Sequence, residues 1–227
     1  LRGPTQWAFF SPIMIGNDQI VSLRTVYHVG SRRAPTTRPW SSMEGPGLSV
    51  TVHPDEWREI AELSGPTWRL RRGDHRAGRF FDMYSDRRKL LAQARKSGWI
   101  TRGTIYVVSS DDDETGDRRS MWFAYRDEAQ AEYEDRVDSG QADATLEEQP
   151  GWYATPALND RWAEAFRSDL DLVMVEEFAV HQIVEAVMAL DGLWWSDRLD
   201  PINLSAPRGV IFPTRLNEWA WRKVTNE

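Results

Sequence analysis

The chain has 227 residues, 41 percent hydrophobic and 28 percent charged, which is enough to bury a core in one large domain or two small ones. A net charge of −7 disfavours non-specific nucleic-acid binding, which depends on clustered Lys and Arg, and the lack of cysteine excludes disulfides, thiolate catalysis and cysteine metal sites. No apolar run approaches the roughly 18 residues of a membrane-crossing helix. The first residues also lack a charged-then-apolar signal pattern, so a soluble, cytoplasmic protein is expected, with a preceding leader left open because the chain starts on Leu1.

Residues 21–29 alternate, with Val21, Leu23, Thr25, Tyr27 and Val29 on one side and Ser22, Arg24, Val26 and His28 on the other. Period two predicts a strand that presents Arg24 and His28 on one face. Residues 30–42 are rich in Pro, Ser and Arg without periodicity and read as a loop. A second strand follows, Leu48, Val50 and Val52 opposing Ser49, Thr51 and His53. Pro54 with Asp55 and Glu56 then opens a helix, because proline suits its first turn and acids complement its dipole.

Short strands are expected around Thr67–Leu70 and Arg79–Met83, then a basic amphipathic helix from Asp86 to Lys96 whose charged face is read as solvated. Residues 103–110 and 120–125 read as a hairpin with an acidic tip that lacks the spacing of a calcium loop. A charged helix follows over 127–137, and residues 138–156 read as a mobile connector. Asn159 is expected to cap a helix reaching Arg167. A longer helix from about Met174 to Leu190 carries Val180, Ile183, Val184 and Val187 on one stripe, with His181 at its edge. Strands at 193–196 and 209–212 and a last helix from Asn217, using Trp219 and Trp221, complete the chain. The interleaving of short strands and helices gives an α+β fold, read as one domain over 1–227 with an insertion around 109–160.

Four histidines, none in a pair spaced for zinc, argue against a metal site, and no nucleophile elbow, phosphate loop or dinucleotide glycine motif is present. What remains is a polar row on two early strands, Tyr27-His28-Val29-Gly30-Ser31 and Gly47-Leu-Ser-Val-Thr-Val-His-Pro-Asp-Glu-Trp57, with an acid ending a late strand, Gly192-Leu-Trp-Trp-Ser-Asp197. These three blocks resemble the order of elements in ADP-ribosyltransferases, and are similar to small phage-encoded members, anti-CRISPR examples among them.

The resemblance implies a split, mainly antiparallel sheet with flanking helices and a transferase that cleaves NAD and moves ADP-ribose onto a macromolecule, most simply a protein. NAD would be the substrate, with no metal and no membrane, nucleic acid being disfavoured by the net charge, and a phage-encoded toxin or anti-defence protein would act in the host cytoplasm. His28 would meet a ribose hydroxyl, and the backbone of Val29 and Gly30 would hold the nicotinamide amide. Arg24 would approach phosphate, Ser49 and Thr51 would line the cleft, and Trp40 would stack on nicotinamide. Asp197, with Asp200 in reserve, would stabilise the cationic transition state.

Val29 stands where many members have Gly, and Asp stands in place of the commoner Glu. Two alternatives stay open: a catalytically inactive member of that fold acting as an interaction or virion-associated protein, and a nucleic-acid-handling module using Arg32, Arg33, Arg38 and the 87–96 helix. His28 could equally be a strand histidine satisfied by neighbouring backbone, and Asp197 a loop cap.

Overall fold

The computed structural model describes residues 16–31, 45–111, 118–166, 171–200 and 205–225. The chain is mixed α+β and divides into two compact units, one built from the chain up to Gln93 together with Val180 onward, the other from Ala94 to Ala179. The second unit contains the 109–160 stretch expected as an insertion and is longer than it at both ends.

In the first unit β1 (Ile20–Leu23), β2 (Val26–Val29), β3 (Leu48–Thr51), β4 (Thr67–Arg72), β5 (Gly78–Asp82), β9 (Gly192–Trp195), β10 (Arg208–Ile211) and β11 (Trp219–Lys223) form one sheet. Its order is β1-β5-β9-β10-β3-β2-β4-β11, antiparallel throughout except for the parallel pair β5 and β9. β1 and β2 are joined by Arg24 and Thr25 alone, yet stand five steps apart in that order. Five steps across a flat sheet span about 24 Å, whereas Leu23 to Val26 reaches about 11 Å at most, so the sheet must curl. Its concave face holds the core of Val26, Leu48, Val50, Leu70, Phe80, Trp194, Ile211 and Trp219.

This curl corrects the single strand expected over 21–29. The chain leaves the edge position of β1 at a bend on Arg24, where Thr25 Oγ1 accepts a hydrogen bond from Arg71 Nε at 2.9 Å. Arg24 is exposed at that bend and does not share a strand with His28. The helix expected from Asn217 is a second correction. A 3-10 turn over Pro213–Glu218 leads into β11, in which Trp219 faces the core and Trp221 pairs with Leu70, an alternation of period two. α1 (Pro54–Ile60) follows β3 as expected, with proline at its start.

The second unit is a three-stranded antiparallel sheet, ordered β7-β6-β8, of β6 (Ile100–Asp111), β7 (Arg118–Phe123) and β8 (Thr145–Ala154), with α3 (Arg126–Asp138) against it and α4 (Pro156–Phe166) after it. α2 (Arg88–Lys96) and α5 (Leu172–Val187) contain the two points at which the chain passes from one unit to the other. The connector expected over 138–156 is instead largely β8, in register with β6 from Ile100 opposite Ala154 to Ser109 opposite Thr145. Its acids and Pro150 disguise it, and both are tolerated because β8 is an edge strand. Asn159 sits inside α4 rather than capping it, since the helix opens earlier on Pro156. No helix among the described residues is long and apolar enough to cross a membrane.

Candidate functional site

The parallel pair β5 and β9 brings two carboxyl ends side by side, Asp82 standing opposite Trp194 in the register. The residues just beyond them meet. Tyr84 N–H donates to Asp82 Oδ1 at 3.1 Å and Ser196 Oγ donates to Asp82 Oδ2 at 3.1 Å, while the Tyr84 hydroxyl donates to Asp197 Oδ1. Asp197 Oδ2 accepts from Arg208, the first residue of β10. The Arg208 guanidinium lies over two indoles, 5.7 Å from the Trp57 ring centre and 5.9 Å from that of Trp195, a cation held between aromatic faces. The Asp197 side chain is mostly buried and that of Arg208 partly so. The product is a carboxylate fixed among a guanidinium, a phenol and two indoles at the rim of the sheet.

His28 is not part of this cluster. Side chains alternate across a strand, and His28, two residues beyond core Val26, shares the concave face, edge-on to Trp221 at 6.0 Å. Ser49 and Thr51 alternate with core Leu48 and Val50 and face the other way; Thr51 stands opposite Arg208, and Arg208 opposite Trp195. The sheet therefore separates His28 from Asp197. Both ring nitrogens of His28 also meet backbone oxygens, Nδ1 at 2.9 Å from Ser49 O and Nε2 at 2.8 Å from Ser31 O. With both polar atoms engaged, the ring is the backbone-satisfied strand histidine of the open alternative.

Val29, Gly30, Ser49 and Thr51 also take part in the fold's own hydrogen bonds. Gly30 N–H donates to Pro66 O at 2.9 Å and Gly30 O accepts from Trp68 Nε1 at 3.0 Å. Val29 lies in the ladder opposite Thr67. Thr51, wholly buried, donates its hydroxyl to Pro207 O at 2.7 Å and accepts from His53 N–H at 3.1 Å. Ser49 contributes its carbonyl to His28. Asp200 is placed by two backbone hydrogen bonds with Ser205, at 2.8 and 2.9 Å. Trp40, with Arg32, Arg33 and Arg38, lies outside the described residues.

The structure thus places the candidate acid Asp197 in a cluster with Arg208, Tyr84, Trp57 and Trp195, none of which the residue pattern alone singles out. A signal for Arg208 does exist in Ser205-Ala-Pro-Arg-Gly, where a charged residue opens an otherwise apolar strand. Tyr84 carries none, because only the parallel pairing of β5 with β9 brings it to Asp197.

A second buried carboxylate, Asp191, belongs to the framework. Arg72 on β4 donates to Asp191 Oδ1, to Asp74 at 3.0 Å and to Glu218 at 2.7 Å. Asp191 Oδ2 accepts from Arg79 N–H at 2.8 Å, and its backbone oxygen accepts from Phe212 N–H at 2.9 Å. The hydrogen bond to Asp74 and the neighbouring carboxylates hold the Arg72 guanidinium above its ordinary range. Among the described residues no group of three or more His, Asp or Glu side chains gathers as a metal site. Comparison with protein-family models, with curated proteins and with solved structures finds no match for this chain.

Proposed function

We propose that the first unit is an NAD-cleaving ADP-ribosyltransferase whose chemistry centres on Asp197 alone, with its sheet as a variant of the split sheet of that fold. The reading is supported by the Asp197 carboxylate, fixed by Arg208 and Tyr84 beside Trp57 and Trp195. Cleavage breaks the bond from the ribose C1′ to the nicotinamide nitrogen. The bonding pair leaves with nicotinamide, the cationic C1′ is captured by a nucleophile of the macromolecular target, and that nucleophile loses its proton. A fixed carboxylate favours this path because positive charge grows on the sugar in the transition state. Arg208 keeps the carboxylate oriented, and the exposed Tyr84 ring offers a face to the departing base.

The test is release of nicotinamide from NAD by the intact protein, alone and with host extract as acceptor. Asp197→Asn is expected to lower release about a hundredfold, whereas His28→Gln, on the far face of the sheet, is expected to act through stability alone. Absence of NAD turnover and NAD binding would sink the enzyme reading. One observation favours a second reading, a non-catalytic interaction protein on a related fold: both Asp197 oxygens already have partners, Tyr84 and Arg208. On that reading NAD binds without being consumed, or not at all, and Asp197→Asn alters stability only.

A further inference from the structure

At the end of the sheet formed by β4 and β11, the first unit holds a cavity of about 350 Å³ lined by Arg58, Gly65, Pro66, Thr67, Lys223 and the two residues after it. Arg58 comes from α1 and Lys223 ends β11. The Arg58 guanidinium is anchored by neutral acceptors, Gly65 O at 2.9 Å and Thr67 Oγ1 at 2.8 Å, with Leu63 O more distant at 3.5 Å. Neither Arg58 nor Lys223 forms an ion pair among the described residues. What sets these two cations apart is that both line one concavity, where a bound anion would meet a guanidinium and an ammonium together.

The walls are also fixed before any ligand arrives. Pro66 O accepts from Gly30 N–H at 2.9 Å, and Val224 N–H donates to Thr67 O at 2.9 Å, so both sides are tied into the sheet. Gly65 adopts a φ of +101°, and a Cβ there would come 3.3 Å from the Gly30 Cα, a close approach that keeps this turn glycine. Thr67 Oγ1 accepts from Arg58 and retains its own hydroxyl hydrogen to donate. A guanidinium, an ammonium and hydroxyl donors around a rigid opening match an oxyanion with several acceptor oxygens, and preorganisation reduces the entropic cost of binding one.

We propose that this cavity is an oxyanion site that takes the phosphate of a small phosphorylated ligand. It shares no residue with the Asp197 centre and stands independently of the transferase reading. The probe is inorganic phosphate titrated into the isotope-labelled intact protein, with pyrophosphate as a second arm. Saturable shifts are expected at the backbone amides of Gly65, Thr67 and Val224. Lys223→Glu, an exposed change at a strand end, is expected to weaken binding about tenfold or more by charge reversal, while Asp197→Asn leaves it unchanged. Arg58→Lys keeps the charge but loses the fork, and is expected to weaken binding less than Lys223→Glu. Amides that stay still, or that titrate identically in the parent and Lys223→Glu, overturn the proposal; a tighter pyrophosphate response with the same Lys223 dependence supports it.

Discussion

The strands of the first unit are short, four to six residues each, and most neighbours in its sheet are not consecutive in the chain. In the second unit β6 alone runs twelve residues, and pairs with β7 and β8 from the segments that follow it. A long ladder fixes its own register. Short strands cannot, so the first unit adds a buried charged clamp and close backbone approaches at glycine. The second unit has a different polar set: Ser109 of β6 with Ser120 of β7 at 2.7 Å, Ser110 of β6 with Gln141 beyond α3 at 2.7 Å, and Arg136 of α3 donating to Glu132 at 2.7 Å and to Ser110 at 2.9 Å.

The largest test of this contrast is the clamp. Arg72→Ala would leave the Asp191 carboxylate buried without its cation, a change that costs about 3–5 kcal/mol. The expected result is a matching loss in urea unfolding, with amides of β4, β5 and β9 losing protection from hydrogen exchange while those of β6 and β8 keep theirs. Equal loss in both sets would mean that the clamp is not particular to the first unit.

Glycine gives the next test. A Cβ on Gly192 would fall 1.7 Å from the backbone oxygen of Val210, in a contact that no rotamer change relieves. Gly192→Ala is therefore expected to cost about 3 kcal/mol or more, by forcing β9 and β10 apart. In the second unit Gly140 has a φ of +98°, and a Cβ there would meet nothing within 4 Å, so a substitution loses only the left-handed backbone preference. Gly140→Ala should cost about 1 kcal/mol. Thermal melts of the two variants check the ranking, and a Gly140 effect as large as that of Gly192 would break the comparison.

Most elements of the fold are legible where one period dominates. The alternations around Tyr27-His28 and Leu48-Ser49, the proline start of α1 and the apolar stripe of α5 can all be read from the residues. The break at Arg24 cannot, because alternation continues through it and only the curl of the whole sheet demands a bend. Trp219 and Trp221 suggest a helix face although their spacing of two is that of β11, and β8 is hidden by acids that an edge strand tolerates. The candidate site is legible only as its acid. Asp197 stands out as a carboxylate ending an apolar strand, whereas its separation from His28 depends on which face each strand turns inward, and one-residue shifts reverse that.

The smallest effects are those of pH, and their signs differ between the units. In the first unit hydrogen bonds from Arg215 and then Arg72 hold Glu218 below its ordinary value, and the Arg88 side chain with its backbone N–H holds Asp86 at about 2. Depressed carboxylates contribute stability that is present above their unfolded values and is lost as pH falls through the folded ones. Loss in this unit should therefore begin below about pH 4 and continue toward 2. In the second unit burial, with smaller contributions from Tyr106 and Tyr125, raises the Tyr153 phenol above 10.0. Its neutral hydroxyl donates to Thr104 O. That contribution is complete below pH 10.0 and fades as pH rises through the higher folded value. Tyr153→Phe should cost about 1 kcal/mol at neutral pH, the worth of one hydrogen bond, and should flatten the alkaline limb while leaving the acid limb in place. Hydrogen exchange followed separately at β6 and at β5 across both limbs checks this; a Tyr153→Phe protein that loses its acid limb instead would place the titrating groups in the wrong units.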